Sequence, residues 1–369
     1  MFNGFSPTDF RYYVKDMENY LSEEAYIRYK AMVESKIAET YADFGVFDRK
    51  IAEEIENACK TLKVEEVYEE EKRIKHDIRA LVNVIKRNVS KEAKPYVHLA
   101  ATSYDIVDTA NALRIKDAII NVLLPDLLNF EKALIELALR EKSTVKIGRT
   151  HGQHAEPVTF GFEIAQYVER VGDRTVKIFE SVNSLVGKFS GAVGTYAALS
   201  LVVDDPEDFE KELLSKLRLK PAKISTQIVP AEPRTDLFHF LTSLFGVIAN
   251  LADDMRHLQR TEIDEVSESF GKEQVGSSTM PHKKNPINFE NAKSAWKTFF
   301  PRMVTVYMDQ ISEHERDLTN SLSQRYLPEV IVMLDSTVRR VKKTIEKFDL
   351  PTRKDIERLE KKIDDLKNQ

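Results

Sequence analysis

The segment LFHFLTSLFGVIANLADDMRHL, residues 237–258, decides the fold. Leu237, Leu241, Leu244, Ile248, Leu251, Met255 and Leu258 recur at alternating steps of four and three, the seam by which helices pack side by side. The run predicts about 33 Å of helix at about 1.5 Å per residue. Phe238, Phe240, Phe245 and Val247 widen the apolar surface beyond one stripe, so several neighbours are expected to bury it.

Working outward, the pattern repeats. Ile106, Ala110, Leu113, Ile120, Leu124, Leu127, Phe130, Leu134 and Leu137 form a second seam, with Asp117 at its one polar position. Pro125 predicts a kink or a restart in that helix. A third seam runs from Ile164 through Val168, Val171, Ile178 and Val182 to Leu185 and stops at Gly187. A fourth occupies about 300–347, apart from a polar stretch at 312–325. Residues 1–98 carry shorter amphipathic helices rich in Glu, Lys and Tyr, with Pro95 at their end. The expected architecture is all-α: an N-terminal helical domain at 1–98, a long-helix bundle at 99–348, and a short charged remnant at 349–369.

Composition agrees. Twelve glycines in 369 residues leave little turn chemistry for a many-stranded fold. A net charge of −5 argues against non-specific nucleic-acid binding, which needs a strongly basic face. The single cysteine, Cys59, excludes an internal disulfide and fits a reducing compartment. The first residues lack a basic segment followed by an apolar core, and no uninterrupted apolar run has bilayer-spanning length. A soluble, cytoplasmic protein that binds no membrane is the expectation.

The interior stretch least suited to helix is 268–287, ESFGKEQVGSSTMPHKKNPI. Glycine and proline break it on both sides of Met280, and loops of this length between bundle helices are often lids or binding loops. Composition alone allows a plain linker equally well. Elsewhere, His151 and His154 have a spacing compatible with zinc, yet no third ligand lies nearby in sequence. His76 beside Asp77 reads by itself as a solvated surface histidine. Gly187, Gly191 and Gly194 follow a helix end without a preceding strand and read as a turn rather than a phosphate cradle.

Taken together, several blocks carry a resemblance. Gly276-Ser-Ser-Thr-Met-Pro-His-Lys-Lys-Asn-Pro resembles the signature loop of the fumarase/aspartase superfamily. Gly148-Arg-Thr-His-Gly-Gln-His-Ala-Glu-Pro resembles the adenylosuccinate lyase form of a second block, where fumarases usually have Thr-His-Leu-Gln. His314-Glu-Arg-Asp-Leu-Thr-Asn-Ser is similar to a block shared by adenylosuccinate lyases and carboxymuconate cycloisomerases. Arg11-Tyr12, Lys75-His76-Asp77 and Thr102-Ser103-x-Asp105 match further adenylosuccinate lyase blocks, so the likeness runs from about residue 7 to residue 345.

What the resemblance implies is a fumarate-releasing C–N lyase that needs no cofactor and no metal and works as a homotetramer whose sites draw on three chains. It implies Ser277 as general base, His151 as general acid, Lys283 as the cation beside the base, and Glu290 as the partner of the histidine. It assigns the nucleotide phosphate to Arg11 and Tyr12. The rest of the substrate falls to His76, Asp77, Thr102, Ser103, Thr150, Gln227, Ser278, Met280, Asn285, Arg316, Ser321 and Arg325. The sequence departs from the family in three places. Only a charged tail follows Leu350 where a third helical domain is usual, so that domain is expected to be mostly absent. Ala231 stands where family members carry arginine, with Arg234 about a turn later. The segment from Arg325 to Pro328 is one residue short. The departures touch binding more than proton transfer. They leave open another lyase or a cycloisomerase of the same superfamily, or a helical scaffold without turnover.

Overall fold

The computed structural model describes residues 6–269, 279–280 and 283–348. The chain begins with α1 (Glu18–Leu21), α2 (Glu23–Asp43), α3 (Arg49–Thr61), α4 (Val64–Ile74) and α5 (Asp77–Arg87). Then come α6 (Ser103–Ala118), α7 (Leu124–Arg140), the strands β1 (Val145–Thr150) and β2 (Gln153–Thr159), α8 (Phe160–Val182) and α9 (Pro206–Lys216). The rest comprises α10 (Glu232–Leu258), α11 (Ile287–Phe299), α12 (Arg302–Met308), α13 (Ser321–Tyr326) and α14 (Pro328–Ile345). The protein is an α-helical bundle with an antiparallel β1–β2 hairpin and a two-residue parallel pairing of Val186–Gly187 with Lys220–Pro221.

The seam of α10 is the centre of the core. Each of its seven residues, from Leu237 to Leu258, is buried. The helix packs against α8 and α11, while α14 closes the bundle against α7 and α11. By length and hydropathy alone α10 resembles a bilayer-crossing helix. Its buried seam instead marks it as the core helix of a folded bundle. Among the N-terminal helices, α2 packs on α3 and also on α6 and α9. Buried apolar contacts run continuously from Val14 to Phe348.

The irregularity predicted at Pro125 takes the form of a π-helical turn, Ile119–Leu123, that leads directly into α7. Proline has no N–H to give and crowds the carbonyl four residues back, and the wider turn relieves both. Asp117, the one polar seam position, is buried where it accepts hydrogen bonds from Tyr29 (2.9 Å) and Arg218 (2.7 Å). The antiparallel α7–α8 crossing depends on Gly161, since a Cβ there would stand 2.3 Å from the Ala138 carbonyl oxygen.

One buried cluster ties α14 to α7. Asp335, fully buried, pairs with Arg339 at 2.9 Å, and Arg339 reaches Asp126 at 2.7 Å. Burial pushes the Asp335 carboxyl up to about 7, Arg339 opposes the rise, and neighbouring Asp126 adds to it. Between about pH 4, where the unfolded carboxyl ionises, and about pH 7, the folded chain holds a proton the unfolded chain has released. This contribution therefore weakens as pH rises through that window. Asparagine mimics the protonated acid permanently. The melting temperature of Asp335→Asn is expected to vary less across the window than that of wild type, and to equal or exceed it at about pH 8. A melting series against pH that left the dependence unchanged would refute this.

Candidate functional site

Three segments far apart in sequence meet around one cleft of about 390 Å³. The first is the start of α5. Lys75 takes a left-handed conformation (φ 60°) that ends α4, and His76 then caps α5, its Nδ1 accepting from the Arg79 N–H at 3.2 Å. Asp77 follows in the first turn, paired with buried Lys30 at 3.1 Å. Burial raises the Asp77 pKa, but Lys30 and the Ile78 N–H outweigh it and hold the carboxyl below its usual range.

The second segment is the N-terminus of α6, built as a capping box: the Thr102 N–H donates to Asp105 at 2.8 Å. Asp105 is fully buried and paired with equally buried Lys188. This pair fixes the helix start that presents Ser103 and Tyr104 to the cleft. The third segment is the polar stretch 312–325. Arg316 lies 3.6 Å over the Tyr104 ring and donates to Gln227 Oε1 at 3.3 Å, while Thr226 donates to the Glu315 carbonyl at 2.8 Å. Ser321, Gln324 and Arg325 on α13 complete the wall. His76, Asp77, Ser103, Arg316, Ser321 and Arg325 therefore share one cleft, with Thr102 at its edge and Gln227 behind Arg316.

Other predicted residues stand outside it. Thr150 and His151 are exposed on the β1–β2 hairpin, whose turn is His151-Gly152 with φ values of 54° and 73°. Paired left-handed residues suit a two-residue hairpin turn. Arg149 anchors the hairpin to Glu265 at 2.7 Å, and Lys146 bridges Glu163 and Glu265. Arg11 is exposed, while the Tyr12 hydroxyl accepts from Asn291 at 2.9 Å, beside α11.

Ser277 and Ser278 lie outside the described residues. The two ends of their loop are held together by Glu268. This buried carboxylate accepts from the N–H groups of Asn288 and Phe289, each at 3.0 Å, at the start of α11. Burial raises its pKa, and these donors oppose the rise. Gln259 adds a second tie, accepting from the Glu268 N–H and donating to the Lys284 carbonyl. Lys283 and Glu290 are exposed, Met280 is 43% exposed, and Asn285 is half-buried at the loop's exit.

Sequence reasoning missed Tyr26, Asn111 and Arg114 as cleft residues, as well as the hairpin. Ser103, Val107, Asn111 and Arg114 follow steps of four, four and three along α6, so the helical period carried a signal for two of them. Tyr26 reaches the cleft only through tertiary packing.

A family model described as Lyase matches residues 6–297. The chain is 39% identical to an adenylosuccinate lyase of Pyrococcus abyssi over 345 residues, covering 92% of this chain and 75% of that protein. It is 38% identical to one of Pyrococcus horikoshii, again over 92% and 75% of the two chains. Among solved structures, the 3-carboxy-cis,cis-muconate lactonizing enzyme of Pseudomonas putida superposes with a TM-score of 0.82 at 25% identity, over 91% of this chain and 76% of that one. The chain spans about three quarters of the length of these relatives.

Proposed function

The chain belongs to the adenylosuccinate lyase family, and from that premise we propose that it eliminates fumarate from adenylosuccinate, leaving AMP. The succinylated aminoimidazole carboxamide ribotide of purine synthesis is its second substrate. What supports this reading most is the convergence of His76, Asp77, Ser103, Arg316, Ser321 and Arg325 from three distant segments on one cleft.

Ser277 takes the proton from the succinyl carbon beside a carboxylate. The electron pair moves into that carboxylate as an enediolate, then returns to form the double bond of fumarate as the C–N bond breaks. His151, oriented by Glu290, delivers a proton to the departing nitrogen. Lys283 and Asn285 stabilise the charge that builds on the carboxylate, with Ser278 and Met280 beside them in the loop. Arg316, Arg325, Ser321, Gln227, Thr102 and Ser103 hold the carboxylates and nucleotide, with His76, Asp77 and Thr150. Arg11 and Tyr12 take the phosphate, for which the arginine fork is suited. No cofactor or metal takes part, and the enzyme works in the cytoplasm.

The active form is a homotetramer. His151 is exposed on its hairpin and does not line the cleft of its own chain. Phe162 (71% exposed), Leu139 (63%) and Leu128 (59%) leave an apolar surface on α7 and α8 that a second copy would cover. On this reading residues 1–98 and 99–348 act as the two parts of the subunit, joined near Pro95.

Wild-type protein incubated with adenylosuccinate is expected to release AMP and fumarate in equal amounts, read by chromatography. No release would refute the reaction. Arg316→Ala is expected to lower kcat/KM by about ten- to hundred-fold, the worth of a charge-assisted hydrogen bond of about 1.5–3 kcal/mol. Unchanged kinetics would remove Arg316 from the binding set.

A further inference from the structure

We infer that Arg114 is an anion-binding residue of the cleft, seating one oxyanion of the bound substrate, whether carboxylate or phosphate. The inference rests on the lyase reading and adds a residue to it. Arg114 lies on the cleft-facing side of α6, eleven residues beyond Ser103, which is about 16 Å along the helix. It is only 4% exposed. Among the described residues no carboxylate lies within ion-pair distance of its guanidinium. Its one hydrogen bond there runs from Nε to Asn111 Oδ1 at 2.9 Å. The guanidinium stacks on Tyr26, 4.2 Å from the ring centroid, and the Lys30 ammonium is 3.8 Å from the same ring.

The acidic groups of the cleft are differently placed. Asp77 is engaged by Lys30 at 3.1 Å. Glu23 accepts from the Tyr68 hydroxyl at 2.8 Å and stands 3.9 Å from Arg325; it acts on Arg114 through space without pairing to it, and burial outweighs that attraction. Glu71 lines the cleft without pairing to Arg114. A buried guanidinium keeps its charge, and leaving that charge without a counter-ion is costly. The arrangement makes sense if the missing counter-ion is the ligand: a desolvated fork backed by an aromatic ring is prepared for the paired oxygens of a carboxylate or phosphate before they arrive. If the residue served packing alone, an apolar chain of similar length would do as well or better.

The test uses the full chain and calorimetric titration with fumarate and with AMP separately, so that binding is read independently of turnover. Arg114→Met is expected to weaken one of the two ligands by about ten- to hundred-fold and to leave the other near the wild-type value. Loss on fumarate alone assigns a carboxylate; loss on AMP alone assigns the phosphate. The melting temperature without ligand is expected to hold or rise, because an uncompensated buried charge has gone. If the methionine variant folds poorly, Arg114→Lys carries the same test, keeping the charge and losing the fork. Unchanged affinity for both ligands, or equal weakening of both, overturns the inference. Failure of the wild type to cleave adenylosuccinate while the titrations still discriminate would refute the reaction and not this site.

Discussion

In Ser277→Ala, turnover of adenylosuccinate is expected to fall by about 10²- to 10⁴-fold, the usual contribution of a positioned proton acceptor, the role proposed for Ser277. Substrate affinity is expected to change little, because the hydroxyl is small and the proposed reading gives the carboxylates and nucleotide to other groups. Serine is a poor base in water. Its use here depends on a desolvated, cation-rich environment in which the alkoxide form becomes accessible, and Lys283 lies only six residues away in the same loop. The loop is not free to wander at its base, since Glu268 and Gln259 fasten its two ends to each other. Kinetics showing kcat preserved and KM raised would mean that Ser277 binds substrate without taking its proton.

Lys188→Met has the largest expected effect on stability. Lys188 and Asp105 are both fully buried, and the ammonium also donates to the Gly191 carbonyl at 3.1 Å. Removing one member strands the other charge, at a cost of about 3–5 kcal/mol. The loss does not stay local. Asp105 also holds the Thr102 N–H and the Gly191 N–H, so the first turn of α6 and the loop beside it loosen together. A clearly lowered melting temperature is expected, with reduced turnover because Ser103 loses its fixed position. A variant melting with wild type would show that Asp105 is satisfied without its partner.

The α-helical bundle was legible because its signal is local. Leu237 to Leu258 keep one period over the whole of α10, and burial follows that period residue by residue. Pro125 was legible as a disturbance, though only the structure shows that the chain absorbs it in a π turn. The hairpin was not legible. Its turn uses His151 in a left-handed conformation where a glycine or asparagine is the usual signal, and no position of either strand is fully buried. His76 read alone as a surface histidine, and it is exposed; the structure adds that it caps α5 and lines the cleft. Tyr26 was hidden for another reason, and the period of α6 put Arg114 in line with Ser103 without showing what it would meet. Each lies on an ordinary helix, and only the meeting of α2 with α6 makes them neighbours.

On the proposed reading, the cleft of one chain is completed by the hairpin of another. Co-assembly of two variants, His151→Ala and Arg316→Ala, tests it most directly. Alone, His151→Ala is expected to show little turnover of adenylosuccinate, and Arg316→Ala is expected to show the ten- to hundred-fold lower kcat/KM of a lost binding group. Dissociated together in mild denaturant and reassembled, they are expected to regain activity, because some sites then draw an intact histidine from one chain and an intact arginine from the other. Mixed tetramers with no more activity than the separate variants would contradict the claim and place both residues in a site built by a single chain.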